Sequence, residues 1–175
     1  MSVRIVLLNG MIPTPTFETT VKAAKLSGTL TEMMGDDIPL PGDDIPLPGG
    51  DIPLPGDMVD KRSMELVLEW CEAHVTVPIP PEELLKAPVT SSDFITGLHG
   101  FEYDVNFLVK LDNESLFNLI STANYLAIGP LYDLCTRRIA CLIKDKTPAQ
   151  IREMFGPPNI PIEQVREENK KLFVG

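Results

Sequence analysis

"IPLPGDMVDKRSMELVLEWCEAH" occupies residues 52–74, and its two ends obey different periods. Side chains alternate along an extended chain, so Ile52 and Leu54 share one face. Pro53 and Pro55 lack N–H groups, and the missing donors fall along one side. Such a strand pairs along one edge only, through Ile52 and Leu54, and belongs at the margin of a sheet. From Asp60 to His74 the spacing becomes helical. Leu66, Val67, Trp70 and Cys71 follow i, i+1, i+4, i+5, and Met64 and Leu68 widen the stripe, which predicts a largely buried helix. Strand and helix in immediate succession predict a small unit of mixed structure.

Reading backward, Ile52–Pro55 closes the last copy of a repeat. "GDDIPLPGDDIPLPGGDIPLPGD" spans residues 35–57, and Gly35, Gly42 and Gly49 each open a copy. A seven-residue period resembles a coiled-coil heptad, but alternating proline forbids the helix. One edge slot takes one copy, so the other two form a Gly-, Asp- and Pro-rich loop. A polyproline ligand is the functional alternative, and only the x-Pro-x-Pro spacing speaks for it. Further upstream, Val3–Leu8 is β-branched and aliphatic, Asn9-Gly10 marks a turn, and Thr16–Thr19 reads as the returning strand of a hairpin. Val21–Met34 is expected to be one short helix, weakened by Gly28. The opening "MSVRIVLLNG" is a strand by this reading rather than a leader peptide.

Reading forward, residues 75–92 are a Pro-rich loop with a short helix near Glu82–Lys86, the stretch Asp93–Gly100 is ambiguous, and Tyr103–Val109 fits a short helix. Asp112 is a good N-cap, with Glu114 in the first turn, for a helix carrying Leu116, Leu119, Ile120 and Ala123. Gly129-Pro130 breaks it, and Pro130 suits the first turn of the next helix. That helix has Leu131, Leu134, Cys135, Ile139, Leu142 and Ile143 as its stripe. Thr147-Pro148-Ala149-Gln150 is a capping box leading into Ile151, Met154 and Phe155. Gly156-Pro157-Pro158 ends that helix, and a last amphipathic one runs from about Ile162 to Lys171. These short helices either stack on one another or leave a groove for a partner's helix.

Composition narrows the function. The 175 residues carry a net charge of −10, which opposes binding to a phosphate backbone. No apolar run reaches the roughly 18 residues that span a membrane. The three cysteines, Cys71, Cys135 and Cys141, lack C-x-x-C spacing, so buried thiols in a reducing compartment, cytoplasmic or nuclear, are expected. His74 and His99 are the only histidines, and neither stands at ligand spacing from a cysteine or a second histidine. His74 ends a helix, where its interaction with the helix dipole is explanation enough. There is no phosphate loop, no G-x-S-x-G and no H-E-x-x-H, and the Asp36-Asp37 and Asp43-Asp44 pairs lack the bidentate Glu that closes a calcium loop. The expectation is a binding module with no catalytic residues, no metal and no cofactor.

Three stretches together carry a resemblance: "IPLP" before "LEWCEAH", then "LFNLISTANYLAIGPLYDLC", then "IKDKTPAQIREMF" leading to "VREENK". In that order the chain resembles the S-phase kinase-associated adaptor family, the Skp-type subunit of SCF (Skp–cullin–F-box) ubiquitin ligases. The match covers most of the chain after Ile52, apart from residues 75–101, and more loosely the first 34 residues. The resemblance implies an α+β BTB/POZ domain over residues 1–128, with a repeat loop at 35–51 and a Pro-rich loop at 75–92. It implies a helical F-box-binding extension over 129–175. The implied role is a non-enzymatic bridge, with the N-terminal region of a cullin and F-box proteins as partners. The cullin contact would fall on Asn124 and Tyr125 and continue to Ile139 and Ile143. The F-box contact would fall on Leu131, Tyr132 and Cys135, on Ile151 and Phe155, and on Val165 and Asn169. Each residue also has a plainer reading as core packing.

The family has one Pro-Leu-Pro edge strand before its Trp-Cys helix, so the third copy, Ile52–Pro55, is expected to be the structural one. The first two copies then sit in a tolerant surface loop, where each doubling of length costs only about 0.6 kcal/mol. A slipped register using Ile45–Pro48 is the alternative. The chain departs from the family pattern at Asp93–Phe101, at Tyr103 where Trp is common, in a short Pro-rich connection from Phe155 to Gln164, and at Lys171 where Trp is usual. These departures lie at the F-box end and imply a divergent paralogue with a shifted receptor preference. Two other readings stand beside the adaptor: a BTB-fold structural or self-associating protein without the ligase role, and a BTB-type transcription elongation subunit. The long C-terminal helical pattern opposes the last.

Overall fold

The computed structural model describes residues 2–8, 14–35, 51–56, 58–89, 94 and 96–155. Three strands form one sheet: β1 (Ser2–Leu8), β2 (Thr16–Thr20) and β3 (Ile52–Pro55), in the order β2-β1-β3. β1 runs antiparallel to β2, with Arg4 opposite Glu18, and parallel to β3, with Ile5 opposite Ile52 and Leu7 opposite Leu54. The expected hairpin strands and edge strand are therefore present, and the edge strand is the third repeat copy. The first two copies and the Asn9-Gly10 turn lie outside the described residues. Alternation decides the buried face: Val3, Ile5, Leu7, Ile52 and Leu54 point into the core, while Arg4 faces out and pairs with Asp51 at 3.1 Å.

The helices are α1 (Val21–Ala24), α2 (Gly28–Met34), α3 (Lys61–Ala73), α4 (Glu82–Leu85), α5 (Glu102–Val109), α6 (Asn113–Tyr125), α7 (Gly129–Ile143) and α8 (Pro148–Phe155), with a 3₁₀ turn at Thr96–Leu98. The architecture is α+β. The expected single helix over 21–34 is instead two. Thr20 caps the first through the Ala23 amide at 3.2 Å. Ser27 caps the second through the Leu30 amide at 3.1 Å. Gly28 is the first residue of α2, not a flaw within a longer helix. Ser27 favours a cap over a helix interior because its hydroxyl competes for nearby backbone groups.

Other start signals act as read. The Asp112 carboxylate accepts from the Ser115 amide at 2.8 Å. In the Thr147 capping box the Thr147 amide donates to Gln150 Oε1 at 2.9 Å, and the Gln150 amide donates to Thr147 Oγ1 at 3.3 Å. α3 buries Met64, Leu66, Val67, Leu68, Trp70 and Cys71, so the helix stripe read from the sequence is the core face. All three cysteines are buried and free of disulfides. Burial, and then the charge of Glu72, pushes the Cys71 thiol up to about 12, and burial raises Cys135 as well. Thiols held protonated in this way are packing residues.

His74 departs from its expected role. It is the C-cap of α3, but it is buried, and both ring nitrogens are engaged: Nδ1 with the Val77 carbonyl at 3.0 Å and Nε2 with Asp104 Oδ1 at 3.0 Å. Trp70 Nε1 donates to the same Oδ1 at 2.8 Å. The Trp70 and His74 rings lie 4.1 Å apart, and the edge of Tyr103 meets His74 at 5.5 Å. Tyr103 thus completes an aromatic group joining α5 to α3.

Glu72, at the end of α3, ties that helix to the sheet. It accepts from Thr19 Oγ1 and the Thr20 amide, each at 2.6 Å, and from Thr20 Oγ1 at 3.1 Å. Burial pushes its carboxyl up, but these hydrogen bonds outweigh that and hold it below the ordinary value near 4.5. A depressed folded-state value stabilises above the unfolded value and loses that stabilisation as pH falls through the folded one. Glu72→Gln is therefore expected to destabilise the chain near neutrality, with the difference from wild type vanishing in acid. Urea midpoints taken from about pH 7 to about pH 3 check this, and a pH-independent difference contradicts it.

Candidate protein-interaction site

The helical pair α6–α7 carries most of the candidate residues, and its turn is unusually tight. The Ile128 amide donates to the Ala123 carbonyl at 2.9 Å and the Ala127 amide to the Asn124 carbonyl at 3.1 Å. This is a Schellman turn, which ordinarily places glycine where Ala127 stands. Ala127 has φ 52°, in the left-handed region. An alanine there costs about 1–2 kcal/mol relative to a right-handed residue. Ala127→Gly is expected to raise stability by about 0.5–1 kcal/mol, after glycine's larger unfolded-state entropy is subtracted. Chemical denaturation of the two chains measures it, and a loss of stability counts against the strain.

On this corner Asn124 is exposed, and Tyr125 is half-buried with its ring against the core. Asn124 and Tyr125 are therefore presented together by one turn. Tyr132 stands exposed one turn into α7, close to the same corner, and its amide donates to the Ile128 carbonyl at 3.0 Å. Ile139 and Ile143 lie elsewhere. Counting from Gly129 along α7, they sit roughly 15 and 21 Å further on at 1.5 Å per residue. The structure does not bring them onto the Asn124–Tyr125 corner.

Ile143 belongs instead with the far end of the pair. There α8 folds back on the start of α6. Asn113 Nδ2 donates to the Met154 carbonyl at 3.0 Å, and Phe117 meets Phe155 edge to face at 5.2 Å. No residue of α8 is fully buried; Ile151, Met154 and Phe155 are half-buried, and Phe117 and Ile143 nearby are exposed. Leu131 and Cys135 are fully buried, so their side chains hold α7 to the core and offer no contact surface. Val165 and Asn169, with the expected helix over 162–171, lie outside the described residues.

Two residues of α7 escaped the sequence reading. Arg137 Nη1 donates to the Ala87 carbonyl at 2.8 Å, and Arg138 lies 5.4 Å from the Phe94 ring. Together they fasten Ala87 and Phe94 to α7. Gly97 fits there because a Cβ at that position would lie 2.9 Å from Arg137 Nη2. The sequence cue was two adjacent arginines on a helix that otherwise carries an apolar stripe.

Small-molecule chemistry finds little support. A groove of about 180 Å³ lies between α3 and α5, lined by Arg62, Glu69, Tyr103 and Lys110 among others. That is below the roughly 300 Å³ at which ligand pockets begin. Among the described residues no group of three His, Cys, Asp or Glu could hold a metal, and no helix is long and apolar enough to cross a membrane.

A small sheet backed by helices, with half-buried apolar side chains at both ends of α6–α7, is the build of a protein-binding module. A sequence model of the Skp1 family, dimerisation domain, matches residues 129–172. The chain is 37% identical to the S-phase kinase-associated protein 1 homolog of Tetrahymena thermophila, covering 87% of this chain and 83% of that protein. It is 33% identical to SKP1-like protein 1A of Arabidopsis thaliana, covering 90% of each. It is 32% identical to the SCF ubiquitin ligase complex protein SKP1b of Dictyostelium discoideum, covering 88% of this chain and 87% of that one. The chain belongs to the Skp1 family, and its fold is the BTB/POZ type with a helical C-terminal part.

Proposed function

We propose that this chain is the adaptor subunit of an SCF-type ubiquitin ligase, a non-catalytic bridge between the N-terminal region of a cullin and F-box substrate receptors. The observation that carries the reading is likeness over nearly the whole chain to proteins named as SCF ubiquitin ligase complex subunits. Within it, residues 1–128 form the cullin-facing domain and residues 129–175 the receptor-facing extension. Asn124 and Tyr125 serve the cullin. Ile151 and Phe155, with Val165 and Asn169, serve the F-box, and Ile143 joins them by its position beside α8. Such a bridge works in the cytoplasm and nucleus and needs no cofactor. Its mechanism is geometric: a rigid core fixes the distance between receptor and ligase, so bound substrate is held within reach of the transfer machinery.

Co-expression with an F-box fragment and a cullin N-terminal fragment, followed by size-exclusion chromatography, tests this. One ternary peak is expected. Truncation after Lys146 removes α8 and everything beyond it, and is expected to abolish F-box binding while cullin binding persists. Absence of both complexes from the full chain overturns the reading.

A further inference from the structure

A helix leaves its last four carbonyls without intrahelical donors. At the end of α6 the Schellman turn takes those of Ala123 and Asn124, leaving Tyr125 and Leu126, and the carbonyl of Ala127, just past the C-cap, also lies outside the helical ladder. All three are taken by residues 27–29, nearly a hundred positions earlier. Thr29 Oγ1 donates to the Tyr125 carbonyl at 2.8 Å and Ser27 Oγ to the Leu126 carbonyl at 2.6 Å. The Thr29 amide also donates to the Leu126 carbonyl, and the Gly28 amide to the Ala127 carbonyl, each at 3.3 Å. These amides belong to the first turn of α2, where donors likewise lack intrahelical partners. The two helices meet at their ends, with unpaired donors of α2 on unpaired acceptors of α6. Gly28 suits this close approach, because a Cβ there would stand 3.1 Å from Ala127 Cβ, a contact that one side would have to relieve by a few tenths of an ångström.

We infer that Ser27 and Thr29 are positioning residues for the Asn124–Tyr125 corner. This inference rests on the adaptor reading and adds to it a second-element support that fixes how the corner meets the cullin. Ser27 and Leu126 are buried, so their hydrogen bond is formed away from water and is costly to leave unmade. Ala127 holds a left-handed conformation beside it. Without the Thr29 hydroxyl the Tyr125 carbonyl must find another donor. The turn then moves toward water and takes the neighbouring side chains with it. The repeat loop starts at Gly35, directly after α2, so the element it leaves from is the one bolted to this corner.

The test uses the full chain bound to an F-box fragment, titrated with a cullin N-terminal fragment, with the F-box affinity measured separately. Thr29→Val keeps the shape and removes the donor. It is expected to weaken cullin binding about tenfold while F-box affinity stays within about twofold. Thr29→Ser restores the donor and is expected to restore cullin binding, which a role in packing alone would not predict. Should Thr29→Val fail to fold, Gly28→Ala takes its place. It retains both hydroxyls but crowds Ala127 Cβ where the helix ends meet, and the same selective loss is expected. Cullin affinity unchanged in a folded variant, equal loss toward both partners, or no rescue by serine overturns the inference and leaves the adaptor reading standing. Failure of the wild-type chain to bind the cullin fragment overturns both.

Discussion

Asp104→Ala is expected to lower the stability of the folded chain by about 3–5 kcal/mol, the largest effect of any single polar substitution in the core. One oxygen, Asp104 Oδ1, accepts from Trp70 Nε1 at 2.8 Å and meets His74 Nε2 at 3.0 Å, and all three residues are buried. Removing it strands the Trp70 donor and leaves His74 Nε2 without its partner, at about 1–3 kcal/mol each, and also opens a small cavity between α5 and α3. Asp104→Asn keeps an oxygen acceptor in the same place and is expected to cost less than half as much. The second oxygen, Oδ2, has no hydrogen-bond partner among the described residues, so the amide group loses little there. Trp70 is the chain's only tryptophan, so its fluorescence reports unfolding from within the network. For a chain of this size, a loss of about 4 kcal/mol corresponds to a fall in Tm of about 10 °C. A difference below about 1 kcal/mol between Asp104→Ala and wild type would mean that the three groups are solvated rather than mutually bonded.

That network also marks where sequence reading stops. Ile52–Pro55 was legible as an edge strand because proline's missing N–H is a local fact with one consequence for pairing. The Thr147–Gln150 box and the Asp112 cap were legible because a cap and its target lie three residues apart. The α3 stripe followed from its period alone. Asp104 is different: it stands 34 residues from Trp70 and 30 from His74, and no spacing rule joins an acid in one helix to a ring in another. His74 was read correctly as a structural residue but for the wrong cause, since the helix end was visible and its buried partner was not. The split between α1 and α2 was hidden for the same reason. Ser27 caps Leu30 locally, but the same hydroxyl is also held by the Leu126 carbonyl 99 residues away, which no local spacing shows. In the candidate site, the family resemblance supplied residue names but not their distribution. Helical rise separates Ile143 from the Asn124 corner, and burial withdraws Leu131 and Cys135. Both follow from tertiary packing, which a stripe of apolar residues leaves undetermined.

Asn124→Ala combined with Tyr125→Ala is expected to weaken cullin binding by at least about a hundredfold, close to 3 kcal/mol, while the F-box complex survives. The two residues differ in what they risk. Asn124 is exposed, and its alanine variant should leave stability within about 0.5 kcal/mol. Tyr125 rests half-buried against the core, so its truncation removes packing as well as any contact. Tyr125→Phe isolates the hydroxyl by keeping the ring in place. Affinity for an F-box fragment serves as the folding control, because α8 packs on the first turns of α6, at the opposite end of that helix from Tyr125. Losses confined to the cullin side, larger for the double variant than for Asn124→Ala alone, identify the corner as the contact. Parallel losses on both sides would assign Tyr125 to the core and move the cullin contact off the α6 corner.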